Sequence, residues 1–106
     1  MKKVSLAIAA IALIASMPAM ADEALAKKSG CFACHAIDKK VVGPAWKDIA
    51  ARYKADASAR DALIKKVKTG GKGNWTEITK GVPMPPYSPR VQDADIATLV
   101  DFILTL

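Results

Sequence analysis

Two cysteines and a histidine stand within five residues, Cys31-Phe32-Ala33-Cys34-His35, and the chain has no other Cys or His. The spelling is C-x-x-C-H, the arrangement of covalent c-type haem attachment. On the last turn of a helix, residues three apart face the same way, so both thiols can meet one flat object. Each of the two vinyl groups of a haem accepts one sulfur as a thioether. The imidazole of the next residue then lies under the macrocycle as the proximal iron ligand. Two other chemistries use paired thiols. A zinc site needs about four ligands, more than this motif holds. A thioredoxin-like dithiol follows a strand in a βαβ unit, and no such pattern is present.

An iron so held has a second axial position. Met1, Met17 and Met20 lie near the N-terminus, which leaves Met84 as the one methionine of the remaining chain. It sits in Val82-Pro83-Met84-Pro85-Pro86, where three prolines fix φ and stiffen the backbone. A thioether on a rigid loop can be aimed at one point with little loss of conformational entropy. The commonest use of Met is to fill a gap in a core, but a proline cage in a core-poor loop does not suit that role. His35 and Met84 are the expected metal ligands. A sulfur ligand favours ferrous iron and closes the coordination sphere, which points away from catalysis.

The rest of the chain sets the context. Lys2 and Lys3 precede an apolar run from Val4 to Ala15, and Ala19-Met20-Ala21 follows. A basic start, an apolar stretch and a small-residue site make a cleavable secretory signal peptide over residues 1–21. The run is too short for the roughly 20 residues that span a bilayer. Residues 22–106 form one domain, with no stable membrane insertion expected and, in a bacterium, a periplasmic location. The full chain is +6. With Lys2 and Lys3 removed, 16 basic residues become 14 against 10 acidic ones, a balance of +4. The lysines are dispersed and carry no recognition motif, which argues against nucleic acid binding and is consistent with an acidic protein partner. A domain this small buries a thin core and needs a staple; a covalently held haem supplies one, and the apoprotein is expected to be poorly folded.

The elements that position the motif read as helices. Asp22 to Ser29 is a short helix, with acids at its start and Lys27 and Lys28 at its end. Gly30 then permits close approach before the haem-binding turn. Trp46 to Tyr53 is a second helix, with Trp46, Ile49, Ala50 and Tyr53 at helical spacing. Ser58-x-x-Asp61 resembles a capping box opening a third, which carries Leu63 and Val67 and stops at Gly70-Gly71. Gly71 to Pro89 reads as a long irregular loop, and such loops are usually functional. Asp93 to Leu104 is amphipathic through Ile96, Leu99, Val100 and Ile103; its natural partner is the first helix, with Gly30 allowing the crossing. Nothing reads as a strand. The fold class is all-α.

With C-F-A-C-H, Val42-Gly43-Pro44-Ala45, Gly73-Asn74-Trp75 and M-P-P in this order, residues 22–106 resemble the short bacterial class I cytochromes c of the c-551/c-552 type. The resemblance implies four to five helices wrapped round one haem c. Cys31 and Cys34 would carry the thioethers, with His35 and Met84 as axial ligands. Pro44 would present its carbonyl to the imidazole, its alternative being a loop stiffener. Trp75 would bond a haem propionate through its indole N–H, or else pack in the core. Lys66 would lie near that propionate, or on a solvated helix face. Two positions depart from the pattern: Tyr87 stands where some relatives place an Asn near the Met sulfur, and Ala26 where relatives often place an aromatic.

The resemblance further implies a soluble, monomeric electron carrier serving redox proteins, between a membrane or periplasmic donor and a terminal oxidase or reductase, and not an enzyme. Lys39, Lys40 and Lys47 are candidates to ring the exposed haem edge and steer an acidic partner; an ordinary solvated surface is the alternative. The rival functional reading is a haem protein with an open sixth site, a peroxidase-like enzyme or gas sensor.

Overall fold

A computed structural model describes residues 18–106. Residues 1–17 of the expected signal peptide lie outside the described residues. Five α-helices and one 3-10 turn follow in order: α1 (Pro18–Ser29), the 3-10 turn (Cys31–Ala33), α2 (Trp46–Tyr53), α3 (Ala59–Thr69), α4 (Thr76–Thr79) and α5 (Asp93–Leu104). There is no strand among the described residues, only isolated bridges pairing His35 with Lys40 and Gly71 with Met84.

α5 is the hub. It packs on α1, α2 and α3, and its expected apolar face of Ile96, Leu99, Val100 and Ile103 is buried. Phe102 is buried as well and meets the Trp46 ring edge-on at 6.2 Å. The first helix is the expected partner, but Gly30 is not what brings the two together. A Cβ at Gly30 would meet nothing within 4 Å, whereas its φ is +84°. Its use is therefore conformational: it turns the chain out of α1 through a left-handed residue. The close contact comes from Ala26, fully buried in the cluster with Trp46, Leu99 and Phe102. The small residue noted as a departure is what lets α1 sit on α5.

Three boundaries differ from expectation. α1 is described from Pro18, so it extends upstream of the expected Asp22, where Ala19, Met20 and Ala21 propagate a helix well. α3 is not opened by a Ser58–Asp61 box, since Ser58 makes no side-chain cap bond. Instead Asp56 Oδ1 accepts from both the Ser58 N–H (2.9 Å) and its hydroxyl (2.7 Å). The expected irregular segment 71–89 holds the one-turn helix α4, too short to show a period in the sequence. Lys80, at φ +54°, and Gly81, at +80°, end it.

Candidate haem-binding cleft

Cys31, Phe32 and Ala33 form not the last turn of α1 but the 3-10 turn beyond it, with Cys34 at its C-terminal boundary and His35 just past it. The Cys34 and His35 N–H groups both donate to the Cys31 carbonyl (3.3 and 3.1 Å). The two cysteines are not joined to each other in a disulfide, and burial pushes a Cys31 thiol above its ordinary value. The following loop folds back on the motif: the Val42 and Gly43 N–H groups donate to the Cys34 carbonyl (3.1 and 2.7 Å). The first N–H groups of α2, at Trp46 and Lys47, find the carbonyls of Ala36 and Ile37 (2.9 and 3.0 Å). Those orphan donors of a helix start thus lock the chain just after His35 onto α2.

The His35 ring is held by one bond, Nδ1 to the Pro44 carbonyl at 2.8 Å. A carbonyl only accepts, so Nδ1 carries the proton and Nε2 keeps its lone pair. Burial pushes the imidazole below its ordinary pKa, against the opposing pull of that hydrogen bond. Both effects are of the kind a metal-ligating histidine needs: neutral, one tautomer, one orientation. The Trp46 ring stands 6.1 Å away, centroid to centroid.

The other axial candidate comes from the far end of the chain. Met84 exchanges backbone bonds with Gly71, its N–H to the Gly71 carbonyl at 3.1 Å and the reverse at 2.8 Å. Tyr87 and Ser88 N–H groups donate to the Val67 and Lys68 carbonyls at 3.0 and 3.3 Å. These are carbonyls that the end of a helix leaves without partners, so the Met84 loop completes the C-terminus of α3. Tyr87 is buried with Val91 and Ile96, and Met84 packs on this group. Burial pushes the Tyr87 phenol up, and the Arg90 guanidinium lies 4.7 Å from its ring centroid.

Cys31, Cys34, His35, Pro44, Lys66, Trp75 and Met84 all line one cleft. Its empty volume, counted out to the open mouth, is about 1160 Å³, and its walls are mainly apolar, with Ile49, Leu63, Leu99 and Ile103 supplied by three helices. Lys66 Nζ lies along the 70–73 turn, 3.2 Å from the Lys72 carbonyl and 3.5 Å from that of Gly70. The Trp75 indole N–H has no acceptor among the described residues, and its ring lines the cleft. A flat apolar group with carboxylates suits this lining: thiols at one wall, a free imidazole nitrogen, a thioether, and an indole N–H and an ammonium for anions.

Two glycines belong to the site although the sequence reading gave them no role there. A Cβ on Gly43 would stand 2.6 Å from His35 Cε1, closer than real contacts allow. On Gly70 it would meet the Met84 carbonyl at 2.5 Å, and the backbone there, φ +69° and ψ −160°, is one that only glycine adopts readily. Each glycine is where the backbone must pass an axial candidate closely. The V-G-P-A spelling and the Gly70-Gly71 pair were visible, but the neighbours across space were not.

An all-α domain whose helices turn apolar side chains onto one cleft, with C-x-x-C-H at its wall, is a small c-type haem protein. Residues 21–106 match the cytochrome c family. Cytochrome c-551 of Allochromatium vinosum is 48% identical over 95 residues, covering 90% of this chain and 96% of that protein. Cytochrome c-552 of Nitrosomonas europaea is 50% identical over 98 residues, covering 92% and 90%. The crystal structure of wild-type Nitrosomonas europaea cytochrome c552 superposes with a TM-score of 0.71 at 49% identity, covering 79% of this chain and 98% of that one. The chain belongs to the cytochrome c family, whose covalent haem c is here carried by Cys31 and Cys34.

Proposed function

We propose that this cytochrome is a periplasmic electron carrier, exported by a signal peptide that is removed after Ala21, and passing one electron at a time between a donor and a terminal oxidase or reductase. The observation that carries the reading is the placement of His35: a single imidazole with Nδ1 hydrogen-bonded to the Pro44 carbonyl, lining the same cleft as Met84. The haem supplies reversible one-electron chemistry at its iron. His35 would hold that iron through Nε2, with the Pro44 carbonyl keeping the ring turned and basic. Met84 would supply a thioether as the second protein ligand, which would favour the ferrous state and leave no site for oxygen or peroxide. Trp75 and Lys66 would hold the haem carboxylates.

Partners meet the molecule at the mouth of the cleft. Val42 and Val82 line it and are exposed, as is the adjacent Val41. Lys39 and Lys40 lie exposed beside them. Lys47 is paired with Asp38 at 2.6 Å, so it adds less to the field than its two neighbours. A small apolar patch with a basic rim suits brief redox encounters, which use small interfaces. Removing residues 1–21 leaves Asp22 and Glu23 on the first turn of the shortened α1, where their charge favours the helix.

The test is the oxidised absorption spectrum of the mature holoprotein. The weak long-wavelength sulfur-to-iron charge-transfer band is expected, and Met84→Ala is expected to abolish it while opening the reduced protein to carbon monoxide. Survival of the band in Met84→Ala, or fast carbon monoxide binding by the unaltered reduced protein at neutral pH, overturns the ligand set.

A further inference from the structure

α4 is four residues long and makes no substantial packing contact with another helix among the described residues. Trp75 sits at its N-terminal boundary, so the wall of the cleft it forms must be fixed from elsewhere. The last turn of α2 reaches it. The Arg52 guanidinium lies 4.8 Å from the Trp75 ring centroid and 5.3 Å from that of Tyr53, and Arg52 Nη1 donates to the Asn74 carbonyl at 3.2 Å. Asn74 Nδ2 donates to the Tyr53 hydroxyl at 3.2 Å, and the Tyr53 and Trp75 rings meet edge-on at 6.4 Å. The contacts form a closed clamp across 22 residues of chain. Its α2 side is rigid because α2 packs on α5.

We propose that Arg52 is a positioning residue for Trp75: from outside the cleft it fixes the indole plane so that the N–H points inward at a haem carboxylate. The role combines a cation over an aromatic face with a charge-assisted bond to the preceding backbone carbonyl, two interactions that fix both the tilt and the position of the ring. It rests on the proposed part of Trp75 in holding that carboxylate.

Hydrogen exchange of the two indole N–H groups in the ferrous holoprotein, followed by NMR, tests the proposal. Trp46, 2% exposed, is the internal reference because its exchange reports opening of the core. In the unaltered protein the Trp75 indole N–H is expected to exchange slowly. Arg52→Gln is expected to speed it roughly tenfold, the scale of losing a cation–π contact and a charged hydrogen bond, with Trp46 unchanged. Arg52→Lys, which keeps a cation over the ring, should recover part of the protection. Tyr53→Phe, which removes only the acceptor of Asn74, should have a smaller effect of the same sign. Slow exchange that Arg52→Gln leaves unaltered overturns the proposal while the carboxylate role of Trp75 stands. Fast Trp75 exchange in the unaltered protein overturns that role instead. Equal acceleration of both indoles shows a general stabilising contact and also overturns the proposal.

Discussion

At the scale of single residues, the chemistry of the cleft depends on one proton and one missing methyl. The proton on His35 Nδ1 is fixed by the Pro44 carbonyl, which leaves Nε2 as the only nitrogen able to bind a metal. The missing methyl is that of Gly43, whose backbone passes the imidazole too closely for any Cβ. Gly43→Ala is expected to push the ring off its bond to Pro44, at a cost of about 1–3 kcal/mol as for other overpacked sites. The check is the thermal midpoint of the holoprotein together with its Soret spectrum. An unchanged midpoint and spectrum would show that the loop yields freely. In the sequence, the cysteines, the lone histidine and the caged methionine were legible because their types and spacing are the chemistry. Gly43 was legible only as a turn residue, since its reason lies in a side chain eight positions away.

At the scale of elements, α3 and the segment after it work as one unit. The N–H groups of Tyr87 and Ser88 complete the carbonyl end of α3, and Gly70 lets the two backbones meet. Gly70→Ala is expected to cost about 1–3 kcal/mol from its backbone conformation alone. It should also loosen Met84, measurable as carbon monoxide binding by the reduced protein at neutral pH; a variant as closed as the parent would separate the glycine from the methionine.

The other end of α3 is tied to α5 by Arg60, whose Nε and Nη2 reach the Asp101 carboxylate at 2.6 and 3.0 Å. Those hydrogen bonds hold the Asp101 carboxyl below its ordinary value. The folded value lies below the unfolded one of about 3.9. The pair's contribution is therefore present above that unfolded value and is lost as the pH falls through the folded one. The melting difference between the parent and Asp101→Asn should be small, because the pair is exposed. It should be present at pH 7 and vanish near pH 2; a difference that grows toward acid contradicts the assignment. The helices with a clear apolar period, α2 and α5, were readable to the residue. α4 and the cap of α3 were not, since one turn has no period and the capping atom belongs to Asp56, outside the S-x-x-D pattern.

At the scale of the whole molecule, the core is arranged round a space. Ile49 on α2, Leu63 and Val67 on α3, and Leu99, Val100 and Ile103 on α5 all border the cleft, so the apolar faces of three helices wall the space a haem would fill. A domain of this length has little apolar surface to spare. The double variant Cys31→Ser/Cys34→Ser, which cannot form the thioethers, is expected to lose most of its far-ultraviolet helical signal at 25 °C. Retention of parental helicity would mean that the protein scaffold closes without its prosthetic group.

The shared hydrogen bonds between α3 and the Pro-rich segment have a kinetic corollary. If the sulfur leaves iron only when that junction frays, then an external competitor such as imidazole must wait for the protein. Its observed binding rate should level off at high concentration, and the plateau would be the fraying rate of one helix end, read out in the colour of the iron.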